Sequence, residues 1–213
     1  MLFDAIKRGD PAAVATLLDA DASLLTAKEN GVSAILLAMY YGHPEIARLF
    51  VDRGAALSIH EAAAVGDEPA VQRLLDADPS LLDTFSEDGF PPLGLAIFFR
   101  HPGLARALIE RGADVSAHAR NAQKVAPLHA AAAVADRETI ALLLARGADP
   151  NARQQNDLTP LHGSASRGDI ESAKLLLTAG ADRDATSADG QSALDYARAR
   201  GHDAFAAWLR SAS

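Results

Sequence analysis

Self-similarity at one spacing is the feature that most constrains this chain. The segment LTPLHGSASRGDIESAKLLLTAGAD (158–182) matches VAPLHAAAAVADRETIALLLARGAD (125–149) almost position for position. Looser copies are VSAILLAMYYGHPEIARLFVDRGAA (32–56), FPPLGLAIFFRHPGLARALIERGAD (90–114) and QSALDYARARGHDAFAAWLR (191–210). Two more, LFDAIKRGDPAAVATLLDAD (2–21) and IHEAAAVGDEPAVQRLLDAD (59–78), lack the usual opening. The first core apolar residue of each copy is Leu2, Ile35, Ile59, Leu93, Leu128, Leu161 or Leu194, at spacings of 33, 24, 34, 35, 33 and 33. A unit of this length cannot bury its apolar face alone, whereas stacked copies can, so the pattern implies a solenoid.

Each copy reads as helix, turn, helix and loop. A Gly-Asp or Gly-His pair separates the helices at Gly9, Gly42, Gly66, Gly168 and Gly201. The glycine of RGAD or AGAD (Gly112, Gly147, Gly180) is placed to end the second helix in a left-handed conformation.

Thr159-Pro160-Leu161-His162, the turn at Gly168-Asp169, the run Leu175-Leu176-Leu177 and Gly180-Ala181-Asp182 together resemble an ankyrin repeat. The resemblance extends over essentially the whole chain. It implies one all-α ankyrin-repeat solenoid over 1–213, with hairpin fingers between helix-turn-helix units. About seven repeats are expected, at approximately 1–29, 30–57, 58–87, 88–122, 123–155, 156–188 and 189–213.

The chain departs from that pattern in two ways. Arg100 and Ala135 stand where the inter-helix glycine is expected, which predicts tighter or distorted turns there. Only Ala55 to Ser58 separate Gly54 from Ile59, so the finger between repeats 2 and 3 should be missing, leaving a notch. Repeat 3 also resembles repeat 1 (GDEPAVQRLLDADPSLL, 66–82, against GDPAAVATLLDADASLL, 9–25), as if two stacks abutted there.

Composition excludes several function classes. A net charge of -8 argues against a nucleic-acid binder that works by neutralising phosphates. The absence of Cys removes disulfides, thiolate nucleophiles and Cys-ligated zinc. The start MLFDAIKRGDP carries Asp4 and no long apolar run, and no stretch is long enough to span a membrane. The expectation is a soluble cytoplasmic protein, of bacterial type from its Arg and Ala bias, with neither membrane nor nucleic acid as partner.

Catalytic patterns are missing as well. His60-Glu61 opens like a zinc-protease motif, but Ala64 replaces its second histidine. No Ser lies in a G-x-S-x-G elbow. Arg8-Gly9-Asp10 and Arg167-Gly168-Asp169 spell an adhesion tripeptide but read as inter-helix turns. His60, His129 and His162 recur at one repeat position, whereas the ligands of one metal must converge on a point. The family resemblance implies that such histidines hydrogen-bond between neighbouring repeats. No enzyme activity, metal or cofactor is expected.

The aromatic residues are unevenly placed. Residues three, four and seven beyond the core Leu93 share its helical face: Ala96, Ile97 and Arg100. Phe98 and Phe99, five and six beyond, turn away from that face, and Tyr40 and Tyr41 hold the same offsets in repeat 2. Neighbouring repeats can still cover the flanks, so periodicity alone leaves those rings either solvated or packed. The resemblance implies that these positions face a concave groove and vary with the partner bound. With Phe85 and Phe90 of the finger before repeat 4, six of the eleven aromatics gather around repeats 2–4.

Leaving a Phe unburied forgoes about 1.5–3 kcal/mol, and clustered exposed aromatics mark interaction surfaces. The candidate partner-binding set is therefore Tyr40, Tyr41, Phe98 and Phe99, with Phe85 and Phe90 at the rim. The alternative is that Phe98 and Tyr41 fold back to fill the space of the missing finger. A secondary candidate surface is His118, Arg120, Lys124 and Arg153, basic residues on two fingers that suit an acidic segment. Phe205 and Trp208 are expected to seal the end of the core. The function expected is a non-enzymatic protein-protein interaction module, either binding a protein or peptide partner as a monomer or self-associating weakly through the same patch.

Overall fold

The computed structural model describes residues 1–211. Seven helix pairs follow one another: α1 (Leu2–Arg8) with α2 (Pro11–Ala20), α3 (Ala34–Tyr40) with α4 (Pro44–Asp52), and α5 (Ile59–Val65) with α6 (Glu68–Ala77). Then come α7 (Pro92–Phe98) with α8 (Pro102–Glu110), α9 (Pro127–Val134) with α10 (Arg137–Ala145), α11 (Pro160–Arg167) with α12 (Ile170–Thr178), and α13 (Ala193–Ala199) with α14 (Asp203–Ser211). The first helices of the pairs pack on one another in chain order, and each packs on its own second helix. One apolar core runs from Leu2 to Leu209.

Local chemistry sets the boundaries. Pro stands at the first or second position of seven of these helices, where its missing N–H is unneeded. Asp10, Asp67, Asp136 and Asp169 cap the second helices by accepting from the backbone N–H three residues on. Ser58 and Glu61 form a reciprocal capping box at the start of α5.

The inner first helices are short and extensively buried, because each is sandwiched between two others. In α7, Leu93, Leu95, Ala96 and Ile97 are all at most 1% exposed. Arg100, expected on the inward stripe, is instead exposed beyond the helix end and donates to Val134 O at 3.2 Å.

Arg100 and Ala135 do not distort their turns. Both adopt the left-handed conformation (φ 63° and 59°) that Gly66 and Gly168 hold at equivalent sites (φ 75° and 68°). The turn geometry is imposed by the packing of the two helices, and these side chains bear its steric cost. At Gly66 and Gly168 a second constraint operates: a Cβ would stand 2.5 and 2.8 Å from the rings of His101 and His202. Those rings lie there because Nε2–H donates to the last-turn carbonyls of the preceding repeat, Ala64 O at 2.9 Å and Ser166 O at 3.0 Å. Where the turn carries Asp the side chain caps its own helix; where it carries His it can reach back to cap its neighbour.

The loop from Arg53 to Ser58 is too short for a finger, and α4 passes directly to α5. No notch results. Lys28, beside the first finger's Asn30-Gly31 turn, pairs with Glu87 of the finger before α7 at 2.6 Å, spanning the vacant place. Further along, consecutive fingers are linked by backbone bonds: Arg120 N–H to Gly89 O (2.7 Å), Gln155 N–H to Gln123 O (2.8 Å) and Ala188 N–H to Asn156 O (2.9 Å). At the other end Phe205 is 1% exposed, and its ring meets Trp208 edge-on at 5.5 Å.

Candidate functional site

The residues five and six beyond each core Leu line the face shared by the first helices and the fingers. On α5 they are Ala64, fully buried, and Val65. Because these are small, the rings on either side meet over them. Tyr40 and Phe99 have centroids 5.6 Å apart, and Phe90 lies 6.3 Å from Tyr40. Tyr40 Oη donates to Asp88 Oδ2 at 2.5 Å, and burial together with that bond pushes its phenol well above the ordinary range.

The other two rings stand outside this cluster. Phe98 packs edge-on against Phe99 at 5.1 Å yet is 52% exposed, and Tyr41 is 49% exposed. The six aromatics therefore divide. Tyr40, Phe90 and Phe99 are half-buried in a bridge between repeats, whereas Phe98 and Tyr41 face solvent. Phe85 is half-buried beneath the Arg120 guanidinium, 3.8 Å from the ring centroid.

A trough of about 730 Å³ begins at Tyr40, Phe90 and Phe98 and runs along the stack to Tyr196 and Arg200. Its floor is small: Gly94, Ala126, Ala130, Ala133, Gly163 and Ser166. Gln123, Gln154, Gln155 and Asn156 line its finger side. Sequence reasoning placed the groove on repeats 2–4 because aromatics concentrate there. The small residues of repeats 5 and 6, which make room for the trough, carried the missing signal.

His129 and His162 sit beneath the trough with both ring nitrogens used. His129 Nδ1 accepts from Ala126 N–H at 3.3 Å, and Nε2–H donates to Leu158 O, in the next finger, at 3.0 Å. His162 accepts from Thr159 N–H at 3.2 Å and donates to Gln191 O at 3.1 Å. His60 donates to Thr84 O at 3.1 Å. Burial pushes His129 down to about 4 and also lowers His60 and His162. These are inter-repeat fasteners held neutral.

The basic fingers are tied into the structure to different degrees. Arg120 covers Phe85, and Arg153 donates to Asp157 O at 3.2 Å and Thr186 O at 3.1 Å. His118 bonds Ser116 O at 3.0 Å and lies 6.5 Å from the His129 ring. Lys124 is exposed. Among the described residues no His, Asp or Glu cluster is arranged to hold a metal, and no helix is long and apolar enough to cross a membrane.

Paired helices stacked in register, with fingers beside an open trough, define a helical repeat solenoid. The family model described as Ankyrin repeats (3 copies) matches residues 59–154 and 128–213, more than half of the chain. The chain belongs to the ankyrin-repeat family. It is similar to the E3 ubiquitin-protein ligase KEG of Arabidopsis thaliana, 30% identical over 95 residues, which cover 45% of this chain and 6% of that protein. It is also similar to human Inversin, 35% identical over 101 residues, covering 47% of this chain and 9% of Inversin. The matched segments thus span less than a tenth of either relative. Ankyrin repeats are generally protein-protein interaction modules and typically non-enzymatic.

Proposed function

We propose that this chain is a non-enzymatic interaction module that docks a segment of a partner protein in the trough. The observation that carries this reading is Phe98: a ring 52% exposed at the mouth of a trough of about 730 Å³ whose floor is made of small residues. An exposed Phe forgoes transfer free energy unless a partner covers it, and aromatic residues of this kind anchor interfaces. The stack is held by bonds between consecutive fingers, so the trough exists before the partner arrives and little ordering cost falls on binding.

The test is affinity capture from native lysate with the wild type and with Phe98→Ser. A protein retained by the wild type and lost by the folded variant supports docking at Phe98. Identical capture by both would reject it. Light scattering on the purified chain separates the alternative of self-association, which requires a mass rising with concentration above the 22.3 kDa monomer.

A further inference from the structure

The trough is electrically polarised in a way its apolar end does not reveal. Its single acidic lining residue, Asp88, has both carboxylate oxygens engaged: Oδ2 accepts from Tyr40 and Oδ1 accepts from Ser86 Oγ at 2.6 Å. At the far end stand two arginines, Arg167 closing α11 and Arg200 following α13. Both are exposed, and among the described residues neither has a hydrogen-bond or ion-pair partner. In a chain of net charge -8, many other arginines are paired with carboxylates, as Arg53 is with Asp19 and Arg137 with Asp169. Two unpaired guanidiniums on adjacent repeats, at one register position, form a positive end to a trough whose other end is aromatic.

We infer that the docked segment is an extended acidic peptide of the partner protein, with one bulky apolar side chain against Phe98 and two carboxylate side chains on Arg167 and Arg200. This rests on the docking reading above and adds the partner's chemistry and polarity. Adjacent packed helices lie about 8–10 Å apart. Phe98 and Arg167 are two helices apart in the stack and Arg200 is one further, about 20 and 30 Å from Phe98. An extended chain advances about 3.3 Å per residue. The spacing is therefore an apolar anchor, an acid about six residues away and a second acid about three beyond it. Extension suits the trough, since the side-chain amides of Gln123, Gln154 and Gln155 line it without intramolecular partners among the described residues and can hydrogen-bond a peptide backbone. Arginine suits carboxylates because its guanidinium can hold both oxygens at once.

The test is selection from a displayed library of random peptides about fifteen residues long, a length that exceeds the required span. The selected peptides are then titrated against the wild type, Phe98→Ser, the charge-reversed pair Arg167→Glu/Arg200→Glu and the neutral pair Arg167→Gln/Arg200→Gln. Melting of each variant is checked first; among the described residues neither guanidinium makes a hydrogen bond or ion pair that its loss would break. The inference expects an aromatic or large aliphatic residue with acids at that spacing. It also expects affinity to fall about tenfold or more on charge reversal, less on neutralisation, and to return when the two acids are exchanged for Lys. Peptides that need Phe98 but show no acidic bias, or bind the reversed pair equally well, would overturn this inference and leave the docking reading standing. Peptides indifferent to Phe98→Ser, or no enrichment over bare support, would count against both.

Discussion

Tyr40 ends helix α3 and Phe99 follows helix α7, and a whole repeat stands between those helices, yet the two ring centroids lie 5.6 Å apart. The small residues of α5 permit the approach, and the hydrogen bond from Tyr40 to Asp88 fixes it. Tyr40→Phe removes that donor while keeping the ring. The expected loss is about 1–2 kcal/mol in urea unfolding, with the m-value unchanged.

The two phenylalanines of one turn should behave differently. Phe99→Ser strips a half-buried ring from the bridge and should cost about 2–3 kcal/mol. Phe98→Ser removes an exposed ring with one edge contact and should cost less than about 1 kcal/mol. Thermal melts of both variants measure the difference, and equal losses would make Phe98 a packing residue.

Ser164 Oγ is buried without a hydrogen-bond partner. Its equivalents three residues after each core apolar position are Ala5, Ala38, Ala62, Ala96, Ala131 and Ala197, all at most 1% exposed. Ser164→Ala should therefore stabilise the fold, by up to about 1–2 kcal/mol, read as a raised midpoint in denaturant.

Ala135 holds φ 59° in the inter-helix turn. Left-handed backbone costs an alanine about 1–2 kcal/mol, against an entropic cost of about 0.5–1 kcal/mol for glycine. Ala135→Gly should thus be stabilising by several tenths of a kcal/mol to about 1 kcal/mol. A fall in midpoint would show that this turn differs from the glycine turns.

Acid should loosen the stack. Folding lowers His129 to about 4 from an ordinary value near 6.5, because burial penalises the charged ring. Between those values the unfolded chain binds more protons, so stability is fully present above about pH 6.5 and falls as pH drops towards 4. The loss from this one residue is on the order of 3 kcal/mol, and His60 and His162 add to it in the same direction. Unfolding free energies across that range in wild type and His129→Gln measure the effect, and a wild-type slope that His129→Gln leaves unchanged would exclude His129 as its source.

The repeat period made the helix pairs, the absent finger and the outward turn of Phe98 legible in the sequence. Helical periodicity says which side of a helix a residue occupies; it does not say what stands across from it. The meeting of Tyr40 with Phe99 depended on the size of Ala64 and Val65 in another repeat. The closure of the expected notch depended on Lys28 reaching Glu87, 59 residues away. The role of His101 and His202 was written in the alternation of Asp with His after the inter-helix turn residue, but only the distances to Ala64 O and Ser166 O disclose it. The reach of the trough into repeats 5–7 was hidden because Ala130, Ala133 and Gly163 form it by being small.

Hydrogen exchange on the chain with and without its captured partner tests the docking claim most directly. New protection is expected in segments 92–98, 123–134 and 154–167, which contribute to the trough, with α8, α10 and α12 unchanged. Protection confined to those second helices, with the trough segments exchanging as before, would contradict it.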